Sequence, residues 1–334
     1  MTDAAGRAAT SLHHDPVPVP DAWVLARRLT DSPREQPAHP DALSGRSPGP
    51  RASQALLLGA FGGLMALAFL LAFLPFAPVW KSDPNLTFGP AVVAAAIVVA
   101  IIRRRSIAAV TQPHGAGLVV AGGAALLFVI GSLTDVDPAC ALGAALLAIG
   151  GCLWLFGWRS AAAASGPAAV AMFAVPWPST LVALLANPLR GASVTGALLM
   201  TRLVGVKVLP AGILLTVLPA HAGGEPFRLI VADACDGYGS LLVLGAIATM
   251  VACFTPGSWF NRGLLIALAL PLAVITNAVR LANVLVMSAY AGRAAAMRVH
   301  ELEHPFLLLL VCLVLMGARS LLIRADRRRS GGPE

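Results

Sequence analysis

Charge is what this sequence has least of. Only 12% of its 334 residues are Asp, Glu, Lys or Arg, against roughly 25% in soluble domains. With 57% hydrophobic residues and a mean hydropathy of +0.79, a solvated globular fold is excluded. A short basic region followed by an apolar core, the mark of a secretory signal, is also missing, so the first span is expected to insert uncleaved. No internal repeat is visible, whereas the paired halves of a transporter usually show one. Cysteines number only five, and the formal net charge of +8 comes mostly from arginines at span ends. Anionic lipid headgroups, not nucleic acid, are the partner such arginines imply.

What the chain does have is long apolar runs. A membrane-spanning helix needs about 20 mostly apolar residues. Runs near 54–76, 86–102, 115–133, 138–158, 162–186, 238–256, 263–287 and 303–323 meet that need. The expectation is an all-α polytopic membrane protein of about eight transmembrane helices, the fifth interrupted by Pro176 and Pro178. Residues 1–53, rich in Pro, Ala, Asp, Arg and Ser, lack apolar periodicity and read as a disordered tail. Basic residues mark the cytoplasmic side. Arg103 to Arg105, Arg159, Arg262 and the 324–334 tail all fall on the side of the N-terminal tail if the spans number eight. Both termini are then cytoplasmic, in a multi-pass protein of the cell membrane. The acids agree: Asp135, Asp137, Glu225, Asp233, Asp236, Glu301 and Glu303 fall on the outer side or at its boundary.

Residues 187–237 form the one extended stretch outside the bilayer. Its first part, PLRGASVTGALLMTRLVG, is helical in pattern and lies along the interface or forms a further span; the interface is favoured. Gly212, Gly223, Gly224 and Pro226 then punctuate short Val/Ile/Leu/Thr runs, the signature of paired strands and turns. Such backbone cannot face lipid. A small extracytoplasmic β element is expected, its last strand leading to VADACDGYGS.

Four cysteines, Cys140, Cys152, Cys253 and Cys312, sit in apolar runs as small hydrophobes. Cys235 is different: it stands between Asp233 and Asp236 at the membrane surface, with no evident disulfide partner. Two other segments reach the same side. In TNAVRLANV, Asn277, Arg280 and Asn283 recur every third residue and share one helix stripe. A charge within a span is costly and faces the bundle interior or a wet cavity. In RVHELEHPF, His300 and His304 are one helical turn apart. A metal pair has that spacing, but no local motif supplies a third ligand, so no metal is expected. A polar helix start, with acids in its first turn, is the plainer reading.

A thiol, a histidine and an arginine thus converge on one face. The thiolate is the nucleophile, a histidine can take its proton and return it to a leaving amine, and a fixed guanidinium can meet the developing oxyanion. No cofactor is required, and the chemistry is acyl transfer through a thioester. On these residues the chain resembles the exosortase/archaeosortase family of polytopic membrane cysteine transpeptidases. DACDG matches its acidic-Ala-Cys-Ser-Gly type motif, NAVR its Asn-x-x-Arg in a later span, and HELEH its histidine before the last span, with NPL at 187–189 also shared. The resemblance covers roughly residues 54–323. It implies Cys235 as nucleophile, His300 as acid/base and Arg280 as stabiliser of substrate or oxyanion, with Asn277, Asp233, Asp236 and His304 in support. It also implies an extracytoplasmic site. The implied substrates are exported proteins ending in a short motif, a hydrophobic helix and a basic tail, which would be cleaved near the motif and transferred to a lipid or envelope acceptor.

The chain departs from that pattern at several positions. Asp236 stands where Ser is common, Asp233 where Glu is frequent, Tyr238-Gly239 where Leu-Arg is common, and His304 where glycine often follows the histidine. His300 is favoured over His304, with general-base geometry as arbiter. Two other classes stay open. In a transporter, Arg280 and Asn277 would line the pathway. In a redox or assembly protein, Cys235 would act alone.

Overall fold

The computed structural model describes residues 50–109, 112–212, 214–220, 226–231 and 237–329. The expected N-terminal tail falls almost wholly outside them, as do Asp233, Cys235 and Asp236. The rest is mostly helical. Helix α1 (Pro50–Phe73) passes through a tight turn into α2 (Ala77–Ser82). Then come α3 (Gly89–Ile107), α4 (Ala116–Leu133), α5 (Asp137–Phe156), α6 (Trp158–Ala171) and α7 (Ser179–Leu203). Three short strands follow, then α8 (Tyr238–Cys253), α9 (Trp259–Ala267) and α10 (Ala269–Arg329). Among the described residues five helical segments are long and apolar enough to cross a membrane, with α8 a shorter apolar helix.

The difference from eight has local causes. Helix α3 carries Arg103, Arg104 and Arg105 in its last turns. The expected span 162–186 does not exist as one helix: α6 stops at Ala171, Val175 turns to an extended conformation, and α7 starts only after Pro178. Proline lacks the N–H that a continuing helix would need, so the two prolines end the helix rather than kink it. At the other end of the chain, two expected spans merge into α10. Its helical run is broken at Gly292, with φ 79° and ψ 177°. That backbone region is essentially open to glycine alone.

At Gly292 the chain reverses. Ala269 and Ala273 share an apolar cluster with Val311 and Leu315, and Asn283 bonds to Glu303. The paired numbers sum to nearly the same value each time, as in an antiparallel hairpin with its apex near residue 292. We refer to 269–291 and 293–329 as its first and second legs.

Helices α4 and α5 show how small residues bring spans together. A methyl on Gly150 would stand 2.6 Å from the Ala121 amide nitrogen, and one on Gly143 would stand 2.8 Å from that of Phe128. The backbones touch directly, the packing expected where lipid supplies no hydrophobic drive between helices. Around α2, Phe76, Val170, Ala174 and Val175 are buried together, and Trp80 Nε1 donates to the Ala174 carbonyl at 2.8 Å. That bond anchors the broken fifth segment.

The expected β element is present as β1 (Val208–Ala211), β2 (Leu214–Val217) and β3 (Phe227–Ile230), antiparallel in the order β1-β2-β3. Val208 faces Val217, and Leu214 faces Ile230. Strand side chains alternate between faces. Leu215 and Val217 accordingly pack on Leu281, Leu285 and Ala289 of the first leg. The Ala220 amide donates to the Ala289 carbonyl at 3.0 Å.

Helix α7 has the length and composition of a span, so the stretch favoured for the interface belongs to a span-length helix. Its C-terminal half packs along the first leg: Val194, Ala197 and Met200 share a cluster with Leu281, Ala282 and Leu285. Ala186 clusters with Tyr238 at the start of α8, while Gly196 packs against Ala278. Farther along, the Tyr290 hydroxyl donates to the Val204 carbonyl at 3.3 Å, so α7 and the first leg run side by side in the same direction.

Candidate active site

The first leg delivers its stripe as the threefold spacing requires. Asn277 is 3% exposed, and a methyl on Gly237 would stand 3.2 Å from its Nδ2. Gly237 caps α8 with φ 88°, a left-handed conformation that suits glycine. Two residues on in the same turn of α8, Asn85, from the loop between α2 and α3, lies against Gly239, where a methyl would meet its Oδ1 at 2.7 Å. The first turn of α8 is thus boxed by two asparagine side chains.

One turn along the first leg, Arg280 Nη2 lies 3.0 Å from His300 Nε2. Along a continuous helix, twenty residues would separate them by about 30 Å; the reversal at Gly292 closes that gap. Arginine only donates and stays protonated. The His300 Nε2 that faces it therefore carries the lone pair, and the ring proton resides on Nδ1. Arg280 Nε lies 3.6 Å from Glu303 Oε1, and Asn283 Nδ2 donates to Glu303 Oε2 at 3.0 Å. Glu303 is buried. The guanidinium therefore spans from the carboxylate to the imidazole, both on the second leg.

A shallow apolar crevice, with room of only about 30 Å³, opens beside Arg280, between α8 and both legs. Ser240, Val243, Leu307, Leu308 and Val311 line it, and Arg280 is the charged group among its lining residues.

Of the residues expected at the site, Arg280 and His300 meet directly, and Asn277 sits beside Gly237. Asp233, Cys235 and Asp236 lie outside the described residues; His304 is on the second leg, with its side chain outside them. The reading of HELEH as a helix start is corrected: the second leg begins at 293, so His300 and Glu303 lie about two turns inside it. Glu303 and Asn85 are the groups that sequence reasoning missed. The signal for Glu303 was its i,i+3 relation to His300, which puts the two on one helix face.

Among the described residues no group of three or more His, Cys, Asp or Glu is placed to hold a metal ion. The model of the transmembrane exosortase family matches residues 80–317, well over half of the chain. The chain belongs to the transmembrane exosortase family. No curated protein and no solved structure matches it. In this exosortase the matched region runs from Trp80, the anchor of the fifth segment, to the lower part of the second leg. It therefore contains the whole hairpin contact and the segment with Cys235.

Proposed function

We propose that this exosortase is a membrane cysteine transpeptidase that processes C-terminal sorting signals of exported proteins through a thioester. The observation that carries the reading is the Arg280–His300 contact at 3.0 Å, beside the start of α8. Cys235 is joined to Gly237 by two peptide steps, a reach of at most about 7 Å between Cα atoms, and Gly237 abuts Asn277.

In this reading the Arg280 guanidinium leaves His300 Nε2 for the scissile carbonyl oxygen, and the freed nitrogen takes the proton of the Cys235 thiol. The sulfur attacks the scissile carbonyl carbon. The C–S bond forms while Arg280 stabilises the oxyanion. The C–N bond then breaks, and His300 returns the proton to the departing amine. An amine or water next attacks the thioester carbon, the C–S bond breaks, and the thiol is restored. His300 in its neutral form is the state a general base needs. The apolar surface beside Arg280, formed by α8 and both legs, is where the apolar part of the signal would lie. The site would face the extracytoplasmic side, with the signal's basic tail left in the cytoplasm and both termini of the enzyme cytoplasmic.

The test is a Cys235→Ala variant in the native host. Exported proteins that end in a motif, an apolar stretch and arginines should accumulate uncleaved. Unchanged processing of that set refutes the reading. The mass of the mature product then reports whether water or an amine took the acyl group.

A further inference from the structure

We propose that Glu303, steadied by Asn283, is a positioning residue that holds the Arg280 guanidinium on His300 Nε2. The role of this contact in catalysis rests on the function proposed above; the contact itself does not.

Several features converge on Glu303. It is buried at 9% exposure, and Arg280 is also mostly buried, at 18%. An ionised side chain buried in a span is costly unless it is compensated. Arg280 and Glu303 form the ion pair that compensates both. Their facing atoms, Arg280 Nε and Glu303 Oε1, are 3.6 Å apart, and neither has a hydrogen-bond partner. The separation exceeds a normal N–H···O bond by about 0.6 Å, so the guanidinium has an unused anchor within a small movement.

Oε2 is already engaged. Asn283 Nδ2 holds it at 3.0 Å from the first leg, which fixes the carboxylate's rotation and leaves Oε1 turned toward Arg280. The far side of the guanidinium then falls on His300, 3.0 Å from Nη2. One carboxylate thus sets where the arginine points, and the arginine sets which imidazole nitrogen keeps its lone pair. Remove the carboxylate's charge and the guanidinium loses its only described counter-ion. It is then expected to turn toward the open crevice that it already lines.

The direct test reads His300 itself. Diethyl pyrocarbonate acylates unprotonated imidazole nitrogens, and peptide fragmentation separates His300 from His304. The full chain in detergent micelles is compared with Glu303→Gln and Arg280→Gln at one pH. Arg280→Gln should raise the modification rate of His300 about tenfold, and Glu303→Gln should raise it most of the way to that level. Processing of the host's sorting-signal proteins should fall at least tenfold in Glu303→Gln, with Glu303→Asp recovering part of it. Should Glu303→Gln fail to fold, Asn283→Ala decides by the same criterion, with an expected rise of two- to threefold. A wild-type rate at His300 in a folded Glu303→Gln or Asn283→Ala chain overturns the proposal, as does a wild-type rate in Arg280→Gln. If His300 responds as expected while Cys235→Ala leaves processing intact, the positioning role stands and the transpeptidase reading falls.

Discussion

Gly292→Ala tests the reversal on which the whole site depends. At φ 79° and ψ 177° the backbone is in a region that a residue with a Cβ avoids, at a cost of roughly 1–3 kcal/mol. A methyl added at Gly292 meets no atom of the surrounding fold within 4 Å, so this penalty is local to the backbone at that residue. It acts against the closed hairpin as a factor of about 5 to 150. What resists at the site is the Arg280–His300 bond, the Asn283–Glu303 bond and one long ion pair. A hydrogen bond to a charged group contributes about 1.5–3 kcal/mol net, so the penalty is comparable to one such bond. The expected outcome is a chain that still inserts but whose upper hairpin opens, with His300 modification by diethyl pyrocarbonate rising and processing falling at least fivefold. Gly212→Ala is the control. Its φ of +64° imposes strain of a similar kind, also with no atom within 4 Å, but in the β1–β2 turn. It should lower stability without exposing His300. A Gly292→Ala chain with native His300 reactivity and native processing would show that the reversal does not depend on glycine.

Other substitutions probe separate links. Arg280→Lys keeps the charge but loses the planar fork that reaches both Glu303 and His300; processing should drop about 100-fold, within the range for losing one oxyanion donor, while the thermal midpoint moves little. Gly150→Val places a branched side chain where a single methyl would already stand 2.6 Å from the Ala121 nitrogen. Overpacking of this kind costs about 1–3 kcal/mol, so the detergent melting temperature should fall. Trp80→Phe removes the 2.8 Å bond to the Ala174 carbonyl; a loss of about 1 kcal/mol should appear in stability, with processing retained.

The features read from sequence were those with a local physical cause. Apolar runs, the glycine-punctuated strands and the Asn277–Arg280–Asn283 stripe each depend on neighbours a few residues apart, and each is present in the structure. The Pro176–Pro178 pair was legible as an interruption, but whether proline bends or ends a helix depends on packing. Here the Trp80 bond to Ala174 holds the ended form. Glu303 looked like a dipole-favoured first-turn acid because the sequence does not reveal where the second leg begins. Once the second leg starts at 293 instead of near 300, the same residue becomes an interior counter-ion. Asn85 was out of reach for a different reason: some 150 residues separate it from Gly239, and no periodicity spans such a gap.

The hairpin also sets an order of events during biosynthesis. Arg280 and His300 are both carried by α10, the last helix described, and they meet only once its two legs lie side by side. Everything upstream, including the segment with Cys235, leaves the ribosome first. On the transpeptidase reading, a nascent chain therefore carries its thiol before either imidazole or guanidinium is there to activate it. Reactivity would switch on with the insertion of the final pair of helical legs, after the rest of the bundle is already in place.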